Sequence, residues 1–224
     1  METNSFREQR NLTQPTTEIA DTLWRVGAIK FGKFRLKLHE KNPDAPLSPV
    51  YVDLRVMRSF PRDLSHAVDL LASLVRNLNF DCVADVPTAA TPLTTLLSAK
   101  LNVPMISPRL DRKTHGSGST IEGIFRSGQR VLVIDDLITT ADSKLEVVEV
   151  LRSHNLSVED TAVLLDREQG GLEVLRRAGV RLHAAATLAA CLDWYLLQHR
   201  VSDAQHAEVV AYLRGSPQAQ PPDV

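Results

Sequence analysis

Cysteine is scarce. Only Cys82 and Cys191 occur in the 224 residues, too few for a disulfide framework and without the close Cys/His spacing of a zinc site. The expected setting is therefore a reducing cytoplasm. An excess of charge is missing too: 26 Lys and Arg stand against 27 Asp and Glu, a formal net charge of −1. Such a chain has no global field with which to hold nucleic acid or an anionic membrane, so any anion site must be local. No apolar run approaches the ~18 residues of a membrane span, and the polar N-terminus lacks a signal peptide, so neither export nor membrane insertion is expected. With 43% hydrophobic and 24% charged residues, the chain is also far from the composition of disorder. Its length fits one α/β domain of the larger kind better than two domains.

Residues 1–16 and 215–224 are polar and Pro-bearing and read as tails around a domain over 17–214. Leu64, Ala67, Val68, Leu71, Leu74, Val75 and Leu78 fall at i, i+3, i+4, i+7 spacing and predict a helix over 64–78. Short apolar runs then alternate with helical stretches, at 80–86, 103–107, 130–135, 161–166 and 180–186. That rhythm predicts a parallel sheet with helices between strands. Residues 131–134 are apolar at every position, as a central strand covered on both faces requires. Binding loops then belong at the carboxyl ends of such strands.

Two segments stand out. Residues 108–128 carry charge, Gly and Ser with little apolar periodicity and read as a long loop or hairpin, a class often used as a lid. The segment RVLVIDDLITTADSKLEVVEVL, residues 130–151, reads as a buried strand, two adjacent acids, a Thr-rich turn and a helix whose apolar stripe is Leu145, Val148 and Leu151. Free N–H groups at such a helix start suit a phosphate. Asp135 and Asp136 beside it suit a sugar's hydroxyls, directly or through Mg²⁺. The same residues also fit an ordinary turn with a cap, and Ser143 with Glu146 matches a capping box.

The string of four apolar residues, Asp-Asp, Leu-Ile-Thr-Thr and a helix resembles the phosphoribosyl pyrophosphate (PRPP) motif of type I phosphoribosyltransferases. GAIKFGKFRLK (27–37), SPVYVDLR (48–55), DVPTAATPL (85–93), PRLDRKTHGSGSTIEG (108–123) and LLDREQGG (164–171) are similar, in order, to segments of the orotate phosphoribosyltransferases. The resemblance implies a type I phosphoribosyltransferase fold, a central parallel sheet flanked by helices with a small N-terminal hood. It implies transfer of phosphoribosyl from PRPP to orotate, with Mg²⁺, to give orotidine monophosphate and pyrophosphate in pyrimidine synthesis. By residue, it assigns Lys113, Asp135 and Asp136 to catalysis. PRPP falls to these three with Arg109, His115, Thr88, Ala89, Leu137, Ile138, Thr139, Thr140, Ala141, Asp142 and Ser143. Orotate falls to Lys37, Tyr51, Val52, Thr139 and Arg167. Metal contact by Asp135 and Asp136 is expected to run mostly through substrate or water. In a homodimer Arg109, Lys113 and His115 reach the neighbouring site.

The chain departs from the family pattern in four places. Ala141 and Asp142 stand where small residues, often Gly, let the backbone approach a phosphate. Asp142 facing that phosphate at ~4 Å, with an effective dielectric of ~20, would cost about 4 kcal/mol, and capping the helix instead avoids this. Leu110 replaces a cation, Leu38 and His39 open an enlarged 38–47 loop at the base pocket, and Asp85 and Ala90 replace Gly. The alternatives are therefore a non-catalytic relative that binds a nucleotide or a protein partner as a regulator, and a transferase for another base.

Overall fold

The computed structural model describes residues 12–36, 38–110 and 120–215. Helix α1 (Gln14–Arg25) begins inside the segment assigned to the N-terminal tail. The Thr13 hydroxyl accepts from Thr16 N at 3.4 Å and Pro15 sits in the first turn, a start signal that a reading of polarity alone overlooks. Strands β1 (Ile29–Phe34) and β2 (Ser48–Val52) pair antiparallel as a separate two-stranded hood, joined by the short α2 (Leu38–Lys41). A 3₁₀ turn (Leu54–Ser59), capped by Asp53, leads into α3 (Pro61–Val75). The helix thus ends before Leu78 of the expected span, although Leu78 still packs on the core.

The main sheet is built from β3 (Cys82–Asp85), β4 (Met105–Pro108), β5 (Ile121–Glu122), β6 (Arg130–Ile138), β7 (Ser157–Asp166) and β8 (Arg181–Thr187), in the order β5-β4-β3-β6-β7-β8. All neighbours are parallel except β4 with β5. The remaining helices are α4 (Thr91–Leu101), α5 (Asp142–Ser153), α6 (Gly171–Arg177), α7 (Leu188–Leu197) and α8 (Asp203–Gly215). Along β6 successive side chains go to opposite faces. Leu132 and Ile134 join a core with α1, α3, α4, α7, α8 and the hood, while Val131 and Val133 join one with α5 and α6. Both faces of the central strand are therefore covered, as its unbroken apolar run requires.

β6 runs three residues past the predicted end at 135. Leu137 and Ile138 continue to pair with Leu165 and Asp166 of β7, so the ladder overrides the break that two acids suggest. The loop over 108–128 is closed at its base as a hairpin: Arg109 N donates to Thr120 O at 2.7 Å, and β5 pairs with β4. Among the described residues no helix is long and apolar enough to cross a membrane. Both cysteines are free and buried.

Candidate active site

The carboxyl ends of β6 and β7 carry the polar residues that the hydrophobic core leaves over. Asp135 and Asp136 are buried within β6, at 4% and 8% exposure. Asp135 Oδ1 accepts Asp136 N–H at 2.8 Å, and Asp136 Oδ1 accepts Leu137 N–H at 2.7 Å. Burial, followed by the charge of Asp135 alongside, pushes the Asp136 carboxyl up to about 7. Lys144, in the first turn of α5, donates from Nζ to Asp135 Oδ2 at 2.5 Å and to Leu137 O at 2.7 Å. Composition and motif reading missed it. A signal was present: Lys144 lies at i, i+3, i+4, i+7 with Val147, Val148 and Leu151, which are the other buried residues of α5. The expected stripe through Leu145 is thus turned by one position, and a lysine sits on the core face.

Between strand and helix lie Thr139, Thr140 and Ala141. The capping box is not formed: the N-cap is Ala141, with φ of 75° and no side-chain cap bond, and Ser143 is already inside the helix. Asp142 does not cap either. It is exposed, and its Oδ2 accepts from Thr140 Oγ1 at 2.7 Å. The backbone itself therefore makes the turn, and the N–H groups of Asp142 and Ser143, the first two of α5, have no carbonyl one turn back to bond. This is a place for an anion's oxygens.

At the end of β7, Arg167 is buried at 7% exposure, with Nε and Nη2 lacking any partner. The expected rival, an ion pair with Asp166 or Glu168, is absent. Asp166 Oδ1 accepts Glu168 N–H at 2.7 Å, and Glu168 Oε2 accepts Ala189 N–H at 3.1 Å. Burial pushes the Arg167 guanidinium down from its usual range, and Tyr51 of β2 and Tyr212 of α8 lie close enough to act on it. Gln169 is likewise buried with Nε2 unpartnered. The loop is pressed onto the turn before α5 through Gly171, whose N–H donates to Thr139 O at 2.8 Å. A Cβ there would meet that same oxygen at 2.5 Å, so only glycine allows the approach. Tyr51 is half-buried and packs on Phe34 with ring centroids 5.5 Å apart, and Val52 is buried. Tyr212 and Gln169 were not singled out by sequence, since neither carries a motif by itself.

A cavity of about 530 Å³ opens at the ends of β3 and β4, lined by Asp85, Thr88, Thr91, Arg109, Leu110 and Glu122 among others. Asp85 accepts from Thr91 Oγ1, while its Oδ1 is buried without a partner. Arg109 is exposed and bound to Glu122, its Nε donating to Oε1 at 2.7 Å. Arg58, also missed, donates from Nη2 to Thr88 O at 2.6 Å and Ala89 O at 3.3 Å and so steadies the loop after β3. Lys37, Lys113 and His115 lie outside the described residues.

Among the described residues no group of three or more His, Cys, Asp or Glu is arranged to hold a metal ion. Two carboxylates, one tied to Lys144, do not form a protein cage. They suit a hard cation that keeps its waters and takes oxygens from a substrate, the usual manner of Mg²⁺.

Known proteins are similar to this chain in sequence and fold. The Phosphoribosyl transferase domain matches residues 61–179. The orotate phosphoribosyltransferase of Caenorhabditis elegans is 33% identical over 199 residues, 88% of this chain and 85% of its own. Among solved structures, UMP synthase of Leishmania donovani superposes with a TM-score of 0.80 at 32% identity, covering 92% of this chain but 44% of that one. Orotate phosphoribosyltransferase of Aeropyrum pernix superposes with a TM-score of 0.70 at 36% identity, covering 78% and 96%. With the domain matched over more than half its length and a relative 33% identical along most of it, the chain belongs to the orotate phosphoribosyltransferases, within the phosphoribosyltransferase family.

Proposed function

We propose that the protein transfers phosphoribosyl from PRPP to orotate, giving orotidine monophosphate and pyrophosphate in pyrimidine nucleotide synthesis. One observation carries this reading. A guanidinium buried beside the phosphate turn keeps two donor groups unpartnered, and such a group calls for an anionic acceptor. A planar pyrimidine carboxylate supplies one, in the fork geometry that arginine matches. Tyr51 and Val52 of the hood form the edge of that pocket, with Lys37 and Thr139 as further contacts.

The reaction forms a bond from a pyrimidine nitrogen to C1 of the ribose and breaks the bond from C1 to pyrophosphate oxygen, with inversion. Positive charge grows on the ribose and negative charge on the leaving group, so placement and electrostatics carry the catalysis. The N–H groups of the turn over Thr139–Ser143 receive the 5′-phosphate, next to Leu137 and Ile138 of β6. Asp136 faces the ribose hydroxyls, with Asp135 beside it. These acids would hold Mg²⁺ through water or substrate oxygens, and the ion would supply positive charge to the pyrophosphate. Lys113 and His115, with Arg109 and the loop at Thr88 and Ala89, neutralise the leaving pyrophosphate, the first three reaching across a homodimer. A lid that brings cations only on closure stabilises charge as it forms and shuts out water. Two buried thiols, with burial pushing Cys82 up to about 11, are consistent with a reducing cytoplasm.

A second reading has its own observation: Asp85 and Glu122 line the cavity meant for pyrophosphate, as suits a non-catalytic regulator. Calorimetric titration with PRPP and Mg²⁺, followed by a turnover assay with orotate, separates the two. Binding with turnover is expected. Binding without turnover supports the regulator, turnover only with another base changes the acceptor, and no binding ends both phosphoribosyl readings.

A further inference from the structure

Lys144 has 2% of its surface exposed, and no step above uses it. Lysine is almost never this deeply buried without a partner, and the first turn of a helix is the wrong end of the dipole for a cation. Its contacts supply the reason. Nζ binds Asp135 Oδ2 and the carbonyl of Leu137, while the other Asp135 oxygen accepts Asp136 N–H. Both oxygens of Asp135 are therefore engaged inside the protein. Asp136 is held by a backbone N–H instead, that of Leu137.

The same contacts bracket the phosphate turn. Lys144 ties α5 to two points on β6, and its own N–H donates to Ala141 O at 3.0 Å. Ala141 is a non-glycine residue with φ of 75°, a conformation that persists only where surroundings hold it. A strut from Lys144 to Asp135 and Leu137 fixes both ends of a turn whose middle is strained.

We propose that Lys144 is a positioning residue that divides the work of the adjacent acids: it retains Asp135 as a strut between β6 and α5 and leaves Asp136 to receive the pentose hydroxyls. This rests on the phosphoribosyl reading above.

The test uses the full chain with Asp135→Asn, Asp136→Asn, Lys144→Met and the double change Asp135→Asn with Lys144→Met. Thermal unfolding is followed without ligand, and PRPP affinity and KM are measured with Mg²⁺. Each single change at the strut should lower the unfolding midpoint, and the double change should lower it by less than either, because an unpaired buried charge costs more than the loss of the whole pair. Asp136→Asn should weaken PRPP binding by about tenfold or more, the effect of removing a hydrogen-bonded charge, and more than Asp135→Asn does. Lys144→Met should raise KM for PRPP, and should raise it no further in the Asp135→Asn background. Additive losses in unfolding, or Asp135→Asn weakening PRPP as much as Asp136→Asn, would overturn the proposal. Should the unchanged protein fail to bind PRPP, the functional reading falls, while the ligand-free unfolding cycle still decides whether the strut exists.

Discussion

The two ends of the site differ in how far they are assembled. At the β6–α5 end Asp135, Asp136, Ala141 and Lys144 are buried, and Asp135 is bound to both Lys144 and the backbone of Asp136. At the β3–β4 end a cavity is lined by carboxylates, and its described cation, Arg109, is held by Glu122 on the surface. On the reading proposed above, the first end is a socket for ribose and phosphate, and the second would trade the Arg109–Glu122 pair for contacts to polyphosphate. That reading would have binding begin at the first end and charge neutralisation follow at the second.

The sharpest way to break this comparison is to remove Lys113, the cation proposed to meet the leaving pyrophosphate. Lys113→Ala should lower kcat by about 10²–10³-fold, the usual loss for one group that stabilises developing charge, with a much smaller effect on PRPP affinity measured by calorimetry. Equal losses in both would place Lys113 in ground-state binding. Next comes the base pocket. Arg167→Leu should weaken orotate binding about 10–100-fold, as the loss of charged hydrogen bonds does, while raising the unfolding midpoint of the free protein, because an unpartnered buried charge disappears.

A pH series sharpens the assembled end. Burial, with the charge of Asp135 alongside, pushes the Asp136 carboxyl up to about 7 from its ordinary 3.8, so between these values the folded state should bind the proton more tightly than the unfolded one. Stability should therefore fall as pH rises from about 4 to 7 through this group, and PRPP affinity should rise over the upper part of that range as the carboxylate forms. In Asp136→Asn both dependences should flatten, as unfolding and titration curves would show. The smallest effect is expected from Glu122→Gln, which releases Arg109. An exposed pair is worth at most about 1 kcal/mol, so PRPP affinity should tighten by no more than about fivefold. A loss of affinity would mean that Glu122 positions Arg109 for its task.

Much of the sheet was legible because its signals are local. Each apolar run from 80 to 186 overlaps a strand of the main sheet, most clearly in β3, β6 and β7, where burial on both faces leaves few polar positions to confuse the pattern. The register at the site was harder to read. Leu137 and Ile138 extend β6 only because β7 is there to pair with them, and Ser143 loses its capping role because the chain turns at Ala141 instead. Lys144 was hidden for the same reason: its partner lies nine residues back on another element, and a buried lysine looks like any surface lysine until both ends are placed. Arg167 was recognised from its motif, but its lack of a neighbour to pair with is a property of packing alone.

That solitary guanidinium carries a consequence for how the protein meets its ligands. Folding leaves a charge enclosed without a counter-ion, and the first suitable anion to arrive relieves that tension. The empty chain should thus be softer than its sequence length suggests, and saturation with orotate should harden it against heat beyond what filling a neutral hollow would do. In this sense the base completes the fold as much as it occupies a pocket.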